Sequence, residues 1–169
     1  MQADGEARGD HLSPKIAEFL MGRPRPELLA SVLSGVRAGG FAAVAAVIFL
    51  SVMYAFEGGD PLLPVKLLAL KLYGVQSHIG APLGIATWIG AGIGFGGLFG
   101  VINATLIGRL SLPAAIGAGA TYGVLLWIVV VFILVSFLWP GALMLYAHRV
   151  VLWAAILYGG LIGFISWMW

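Results

Sequence analysis

Apolar residues along this chain fall into four long runs separated by short polar breaks. Each run is about as long as the roughly 20 apolar residues that an α-helix needs to cross the hydrocarbon core of a bilayer. The runs cover residues 35–56, 83–107, 113–138 and 149–169. The pattern predicts an all-α polytopic membrane protein whose four transmembrane helices form two hairpins.

A shorter element is expected between the first two spans. Residues 57–78 contain Asp60-Pro61, a helix start, and Gly74, a helix stop. Their apolar part is too short to cross a bilayer, and Lys66 and Lys71 oppose deep burial. We therefore expect an interfacial or re-entrant helix in this segment.

Composition supports the membrane class and removes several kinds of chemistry. Of 169 residues, 61% are hydrophobic and 9% are charged, whereas ordinary soluble domains are about 25% charged. The chain contains no cysteine, which excludes disulfides, thiolate metal sites and cysteine nucleophiles. Its basic residues are few and dispersed, so the sequence does not indicate a nucleic-acid partner.

The polar N-terminal part is expected to form a tail distinct from the membrane domain. We assign residues 1–34 to the tail, with an interfacial helix starting at Ser13-Pro14, and residues 35–169 to the four-helix transmembrane domain. Pro26 is a plausible start for a second helix that runs into the membrane. The first long apolar run begins too late for a cleavable signal peptide. The tail is either a solvated segment or a docking segment for a partner.

The distribution of basic residues suggests an orientation. Four spans place both termini on one side, and positive charge near spans favours the cytoplasmic side. The side of the termini has more basic residues near the spans than the opposite side, which has Lys66, Lys71 and Arg149. The terminal side includes Lys15, Arg23, Arg25, Arg37 and Arg109. Cytoplasmic termini are therefore expected.

Small residues recur every four positions in all four spans and predict close helix contacts. Small-xxx-small spacing stacks Gly and Ala on one helix face and lets a second backbone approach. FGGLFG at 95–100 resembles YGGLIG at 158–163, which suggests two hairpins of the same sense related by a pseudo-two-fold axis along the membrane normal. The expected packing positions are Gly35, Gly39, Ala43, Gly92, Gly96, Gly100, Ala115, Gly119, Gly123, Ala155, Gly159 and Gly163.

The spans contain little that could carry out a reaction. None of the four has Asp, Glu or Lys, the residues that proton relays and carboxylate catalysis need inside a membrane. GIGFGG fits a dinucleotide-binding pattern loosely, but it lies inside an apolar run with no preceding strand. His78 and His148 stand at outer span ends, where they are either interfacial or ligands of a haem. No catalytic residue and no metal site are expected.

HIGAPLG leads into the second span, and HRVVLWAAILYGGLIGF occupies the fourth. In these motifs the chain resembles small four-span bacterial inner-membrane proteins of unknown function, of the YagU-like kind. The resemblance covers residues 35–169. It implies a bacterial inner-membrane location and no mechanism.

Three functions are consistent with these features. The first is a non-enzymatic accessory or scaffold subunit that packs its glycine-rich faces against partner membrane proteins or against copies of itself. The second is an oligomeric channel or transporter for small solutes, and the third is a haem-binding subunit that uses the two histidines. In each case the immediate surroundings are the lipid bilayer, and only the third requires a cofactor.

The position of bulky residues predicts where a ligand or partner binds. The first and third spans each have small residues in their first half and bulky ones in their second half. The helices are therefore expected to converge at the cytoplasmic side and to separate at the outer side. The ligand or partner surface expected there is bordered by Tyr54, His78, Trp88, His148 and Trp153.

Overall fold

A computed structural model describes residues 26–75, 79–107, 110–146 and 148–169. The interfacial helix expected in the N-terminal tail, His78 and Arg109 lie outside the described residues. Within the described part the structure is helical without strands, and four helices are long and apolar enough to cross a membrane. The predicted all-α, four-span fold is confirmed.

The four spans are unequal in length, and two of them contain π-helical turns. α1 is Pro26–Phe56, α2 is Leu63–Tyr73 and α3 is Gly80–Ile102, continued by a π-helical segment Asn103–Ile107. α4 is Leu112–Ile128, followed by the π-helical segment Val129–Val135 and by Ser136–Leu138. After a 3-10 turn at Pro140–Ala142, the short α5 is Leu143–Tyr146 and α6 is Arg149–Met168.

α1 begins where the sequence predicted a helix that runs into the membrane. The helix begins at Pro26, nine residues before residue 35. Proline suits the first turn of a helix, because its φ is already helical and no hydrogen bond is lost there. Residues 26–34 therefore continue the first span as one helix.

The first hairpin pairs α1 with α3 through glycine faces. A Cβ placed on Gly39 would lie 2.8 Å from the Cα of Gly96, and one on Gly35 would meet the backbone of Gly96 and Gly100. Farther along, a Cβ on Gly92 would overlap the Cβ of Ala43. The two backbones thus touch over several turns, and each contact depends on the absence of a side chain.

The second hairpin pairs α4 with α6 in the same register. A Cβ on Gly119 would meet Gly159 and Gly163, as one on Gly35 meets Gly96 and Gly100. One on Gly123 would meet Ala155 and Gly159, and Ala115 contacts Gly163. Equivalent residues are therefore 84 positions apart between α1 and α4, and 63 positions apart between α3 and α6. This constant register is what a duplicated hairpin would produce.

The two hairpins meet along one close seam and one open seam. α1 packs along α6, and Ala38, Ala42 and Ala46 are almost completely buried there. In the 84-residue register, α4 carries Tyr122, Leu126 and Val130 at the equivalent positions. These large side chains hold α4 away from α3, whereas the alanines let α1 approach α6. The α3–α4 seam consequently stays open over part of its length.

α2 and the polar connections lie at the end of the bundle that we call the loop end, defined by residues 57–62 and 148–149. α2 packs across the beginning of α3, where a Cβ on Gly84 would overlap the backbone of Val65. Pro64, Val65 and Ala69 of α2 are buried in this contact. The helix between the first two spans is therefore docked on the bundle.

Candidate functional site: a lateral cavity

A cavity of about 320 Å³ lies between α3 and α4 in the half of the bundle nearer the loop end. This volume is within the range of about 300–1,000 Å³ that is usual for small-molecule sites. Leu72 and Leu134 line the cavity and are also half exposed at the surface, so it opens sideways between the helices. No charged side chain of the described residues lines it.

Its walls are contributed by every span and by α2. α3 provides residues between Thr87 and Phe95, and α4 together with the π-helical segment after it provides residues between Leu126 and Val135. The π-helical segment Val129–Val135 forms the part of this wall nearer the loop end. π-helical turns are frequent at functional sites. The lining side chains are almost all aliphatic or aromatic. They are Ala46, Leu68, Leu72, Thr87, Trp88, Ala91, Phe95, Leu126, Trp127, Val130, Val131, Leu134, Val135, Trp139, Tyr146, Val151, Ala154, Ala155 and Tyr158, with the backbone of Gly92.

Two tyrosines bond to α3 at the end of the cavity that lies farther from the loop end, which we call the inner end. The Tyr158 hydroxyl on α6 donates to the carbonyl oxygen of Gly92 at 2.5 Å, and the Tyr122 hydroxyl on α4 donates to that of Phe95 at 2.7 Å. The Tyr122 ring also packs on Phe99, with ring centroids 5.2 Å apart. Buried phenols in a bilayer need such partners, because no water is available to them. The cavity therefore has a fixed inner end.

The end of the cavity nearer the loop end, which we call the mouth, is bordered by hydrogen bonds between separate segments. Tyr146 donates to the carbonyl oxygen of Pro64 in α2 at 3.0 Å, and the Trp127 indole donates to that of Tyr146 at 3.2 Å. Burial raises the pKa of Tyr146 to about 12, so its phenol remains protonated at neutral pH. Tyr73 and Thr87 add a hydroxyl pair 3.0 Å apart. These bonds hold α2 and the connection between α4 and α6 in place at the mouth.

Charged groups lie beyond the mouth, at the loop end. Lys66 pairs with Asp60 at 2.7 Å, and this hydrogen bond holds the pKa of the Asp60 carboxyl below its usual range. Glu57 lies 3.9 Å from the His148 Nδ1 atom and 3.8 Å from an Arg149 guanidinium nitrogen. Because these side chains are at least a third exposed, they mark the polar side of the bundle next to the apolar cavity.

The structure describes four of the five residues expected to border a ligand surface. Trp88 lines the cavity. Tyr54 is buried in the α1–α6 seam with its ring 6.3 Å from that of His148, and neither residue lines the cavity. Trp153 is exposed on another face of α6, and His78 lies outside the described residues. Tyr54 and His148 are thus brought together, and Trp88 packs against the cluster that contains Tyr54.

Most cavity residues were missing from the sequence-based expectation. Phe95, Leu126, Val130 and Tyr158 look like ordinary apolar residues of a span. A comparison of the two hairpins would have indicated an open seam, because α4 has bulky residues at the positions where α1 has alanine. That comparison requires the 84-residue register, which only the helix contacts supply.

The fold and the cavity define a polytopic, all-α integral membrane protein with a side-opening apolar cavity. Comparison with protein-family models, curated proteins and solved structures finds no match to this chain. Its function therefore has to be inferred from its own residues.

His148→Ala is expected to change the free energy of unfolding by less than about 1 kcal/mol. The ion pair with Glu57 is long and partly exposed, and Arg149 remains as a second partner for Glu57. Unfolding in mixed micelles measures the change. A loss larger than that of Tyr54→Ala, or a Soret band in the absorbance spectrum that disappears in the variant, would indicate instead that His148 binds a ligand.

Proposed function

We propose that this integral membrane protein binds the apolar chain of a lipid in the cavity between α3 and α4 and carries out no reaction on it. The single observation that carries the proposal is the cavity of about 320 Å³, which is lined by apolar side chains and opens between two membrane spans. A cavity that opens at this depth faces lipid chains directly.

A lipid chain fits this site better than a polar solute does. The described lining offers few polar atoms, and its hydroxyl groups on Tyr158, Tyr146 and Thr87 already donate to backbone oxygens. A polar solute would lose its hydrogen bonds to water and find few replacements, at a cost of about 1–3 kcal/mol for each group. An alkyl chain has no such cost.

The accessory-subunit and channel hypotheses have less support from the contacts. The twelve small residues expected to receive partner helices lie against each other within the chain, so a partner would need other surfaces. The tyrosine hydrogen bonds below the cavity oppose a continuous path between α3 and α4. Lipid binding is therefore the function that we favour.

Tryptophan quenching by a brominated fatty acid tests the proposal. A variant that keeps only Trp127 and replaces Trp88, Trp139, Trp153, Trp167 and Trp169 by Phe reports on the cavity, because Trp127 lines it. In bilayer nanodiscs we expect saturable quenching when about one brominated chain is present per protein. Ala91 lines the cavity at its open side, so Ala91→Phe places a ring across the opening and should abolish the saturable part.

Ala86→Phe is the matched control. Ala86 is exposed on the same helix and does not line the cavity, so quenching should be unchanged in this variant. If quenching rises only in proportion to the brominated fraction of the bilayer, and equally in both phenylalanine variants, the cavity does not bind a chain.

A further inference from the structure

The depth of the cavity limits the length of the alkyl chain that fits in it. On α3 the lining runs from Thr87 near the mouth to Phe95 at the inner end, which is eight residues, or about 12 Å at 1.5 Å per residue. An extended chain of single bonds advances about 1.2 Å per bond, by analogy with an extended backbone. About ten carbon atoms therefore reach from the mouth to the inner end.

The inner end is fixed by hydrogen bonds from two helices to a third. Tyr158 on α6 and Tyr122 on α4 donate to the carbonyl oxygens of Gly92 and Phe95, which lie one turn apart on α3. Moving either ring aside would leave a phenol and a carbonyl oxygen without this bond inside the membrane, at a cost of about 1–3 kcal/mol. A longer chain therefore cannot readily displace the two rings.

We propose that Phe95 and Tyr158, which line the cavity, form a floor backed by Tyr122, and that this floor selects an alkyl chain segment of about ten carbons. This inference rests on the proposed function. Shorter chains leave part of the cavity empty, and longer ones have to fold back or leave their ends outside. The polar group of the ligand lies at the loop end, next to Thr87 and the exposed hydroxyl of Tyr73.

Competition by saturated fatty acids of increasing length tests the selection. The acids have from six to eighteen carbons, a range that brackets about ten. Each is tested for its ability to displace the brominated probe from the Trp127-only protein in nanodiscs. Displacement is compared at equal amounts of membrane-bound acid, so that differences in partitioning into the bilayer do not affect the comparison. We expect the strongest displacement at about ten carbons and about tenfold weaker displacement at sixteen. This fold-change is typical of hydrophobic pockets that reject extra methylene groups.

Two floor variants should move the optimum in opposite directions. Phe95→Ala removes a ring at the inner end and is expected to shift the optimum toward longer chains. Leu126→Phe adds a ring near the same end and is expected to shift it toward shorter ones. Because the second variant removes no packing, it remains informative if Phe95→Ala fails to fold.

A lining aromatic at the other end gives the matched control. The Trp127-only protein already has Phe in place of Trp139. Having Ala there instead removes a ring near the mouth and should leave the optimal length unchanged. A flat length profile in the parent protein, or equal shifts in the Trp139 and Phe95 variants, would overturn the floor while leaving chain binding intact. Absence of saturable probe binding in the parent would instead reject the proposed function.

Discussion

Gly96→Ala is expected to destabilise the protein by about 1–3 kcal/mol through overpacking, and Gly96→Leu by more. Gly96 faces α1 so closely that an added Cβ would lie 2.6 Å from the Cα of Gly39 and would overlap the carbonyl oxygen of Gly35. Both atoms belong to a helix backbone and cannot rotate away as a side chain can. The first hairpin would have to separate to accept even one methyl group.

Gly94→Ala is the matched control for this substitution. Gly94 lies two residues earlier on α3, and a Cβ there has no neighbour within 4 Å. Both variants make the same change in the same helix, so intrinsic helix propensity cancels and the difference reports packing. The free energy of unfolding in bicelles or mixed micelles measures it. Equal stability of the two variants would show that α1 and α3 are not in backbone contact at Gly96.

Ala42→Leu is expected to cost about 1–3 kcal/mol by overpacking of the closed seam between the hairpins. Ala42 is fully buried, at 0% exposure, in a cluster that includes Tyr158 and Ile162 of α6. A leucine there would reproduce on α1 what Leu126 does at the equivalent position of α4, which is to hold a neighbouring helix away. The same unfolding measurement detects the loss.

Ala55→Leu is the control on the same helix. Ala55 is exposed, so the larger side chain would enter lipid without displacing a protein group. If Ala42→Leu is as stable as Ala55→Leu, the α1–α6 seam has room for a large side chain. The difference between the closed and open seams would then need another cause.

Much of the architecture could be predicted from the sequence because its signals are local. A long apolar run makes a spanning helix wherever it stands, since backbone polar groups in lipid must be paired within the segment. Asp60-Pro61 and Gly74 likewise bracket α2, and Gly74 adopts the left-handed conformation, with φ 69°, that ends such a helix. These features need no knowledge of the neighbouring helices.

The cavity could not be predicted in this way. In a soluble protein a polar face shows which side of a helix is outside, but a helix in lipid can be apolar on every side. Leu126 and Val130 line the cavity, while Leu125 and Val129 on the same helix are exposed, and the residue types give no distinction. Of the five residues chosen for bulk and position, the four that the structure describes therefore include one lining residue, Trp88.

By itself the sequence determined four spans, the short helix between the first two, and faces of small residues spaced for close packing. The tertiary structure decided which face meets which, and at what register. It placed Gly35 and Gly39 against Gly96, repeated that register in α4 and α6, and left Tyr122, Leu126 and Val130 opposite α3 where alanines stand in α1. The physical reason is that spacing fixes only the face of a helix, whereas an open seam depends on the size of side chains that meet across two separate helices.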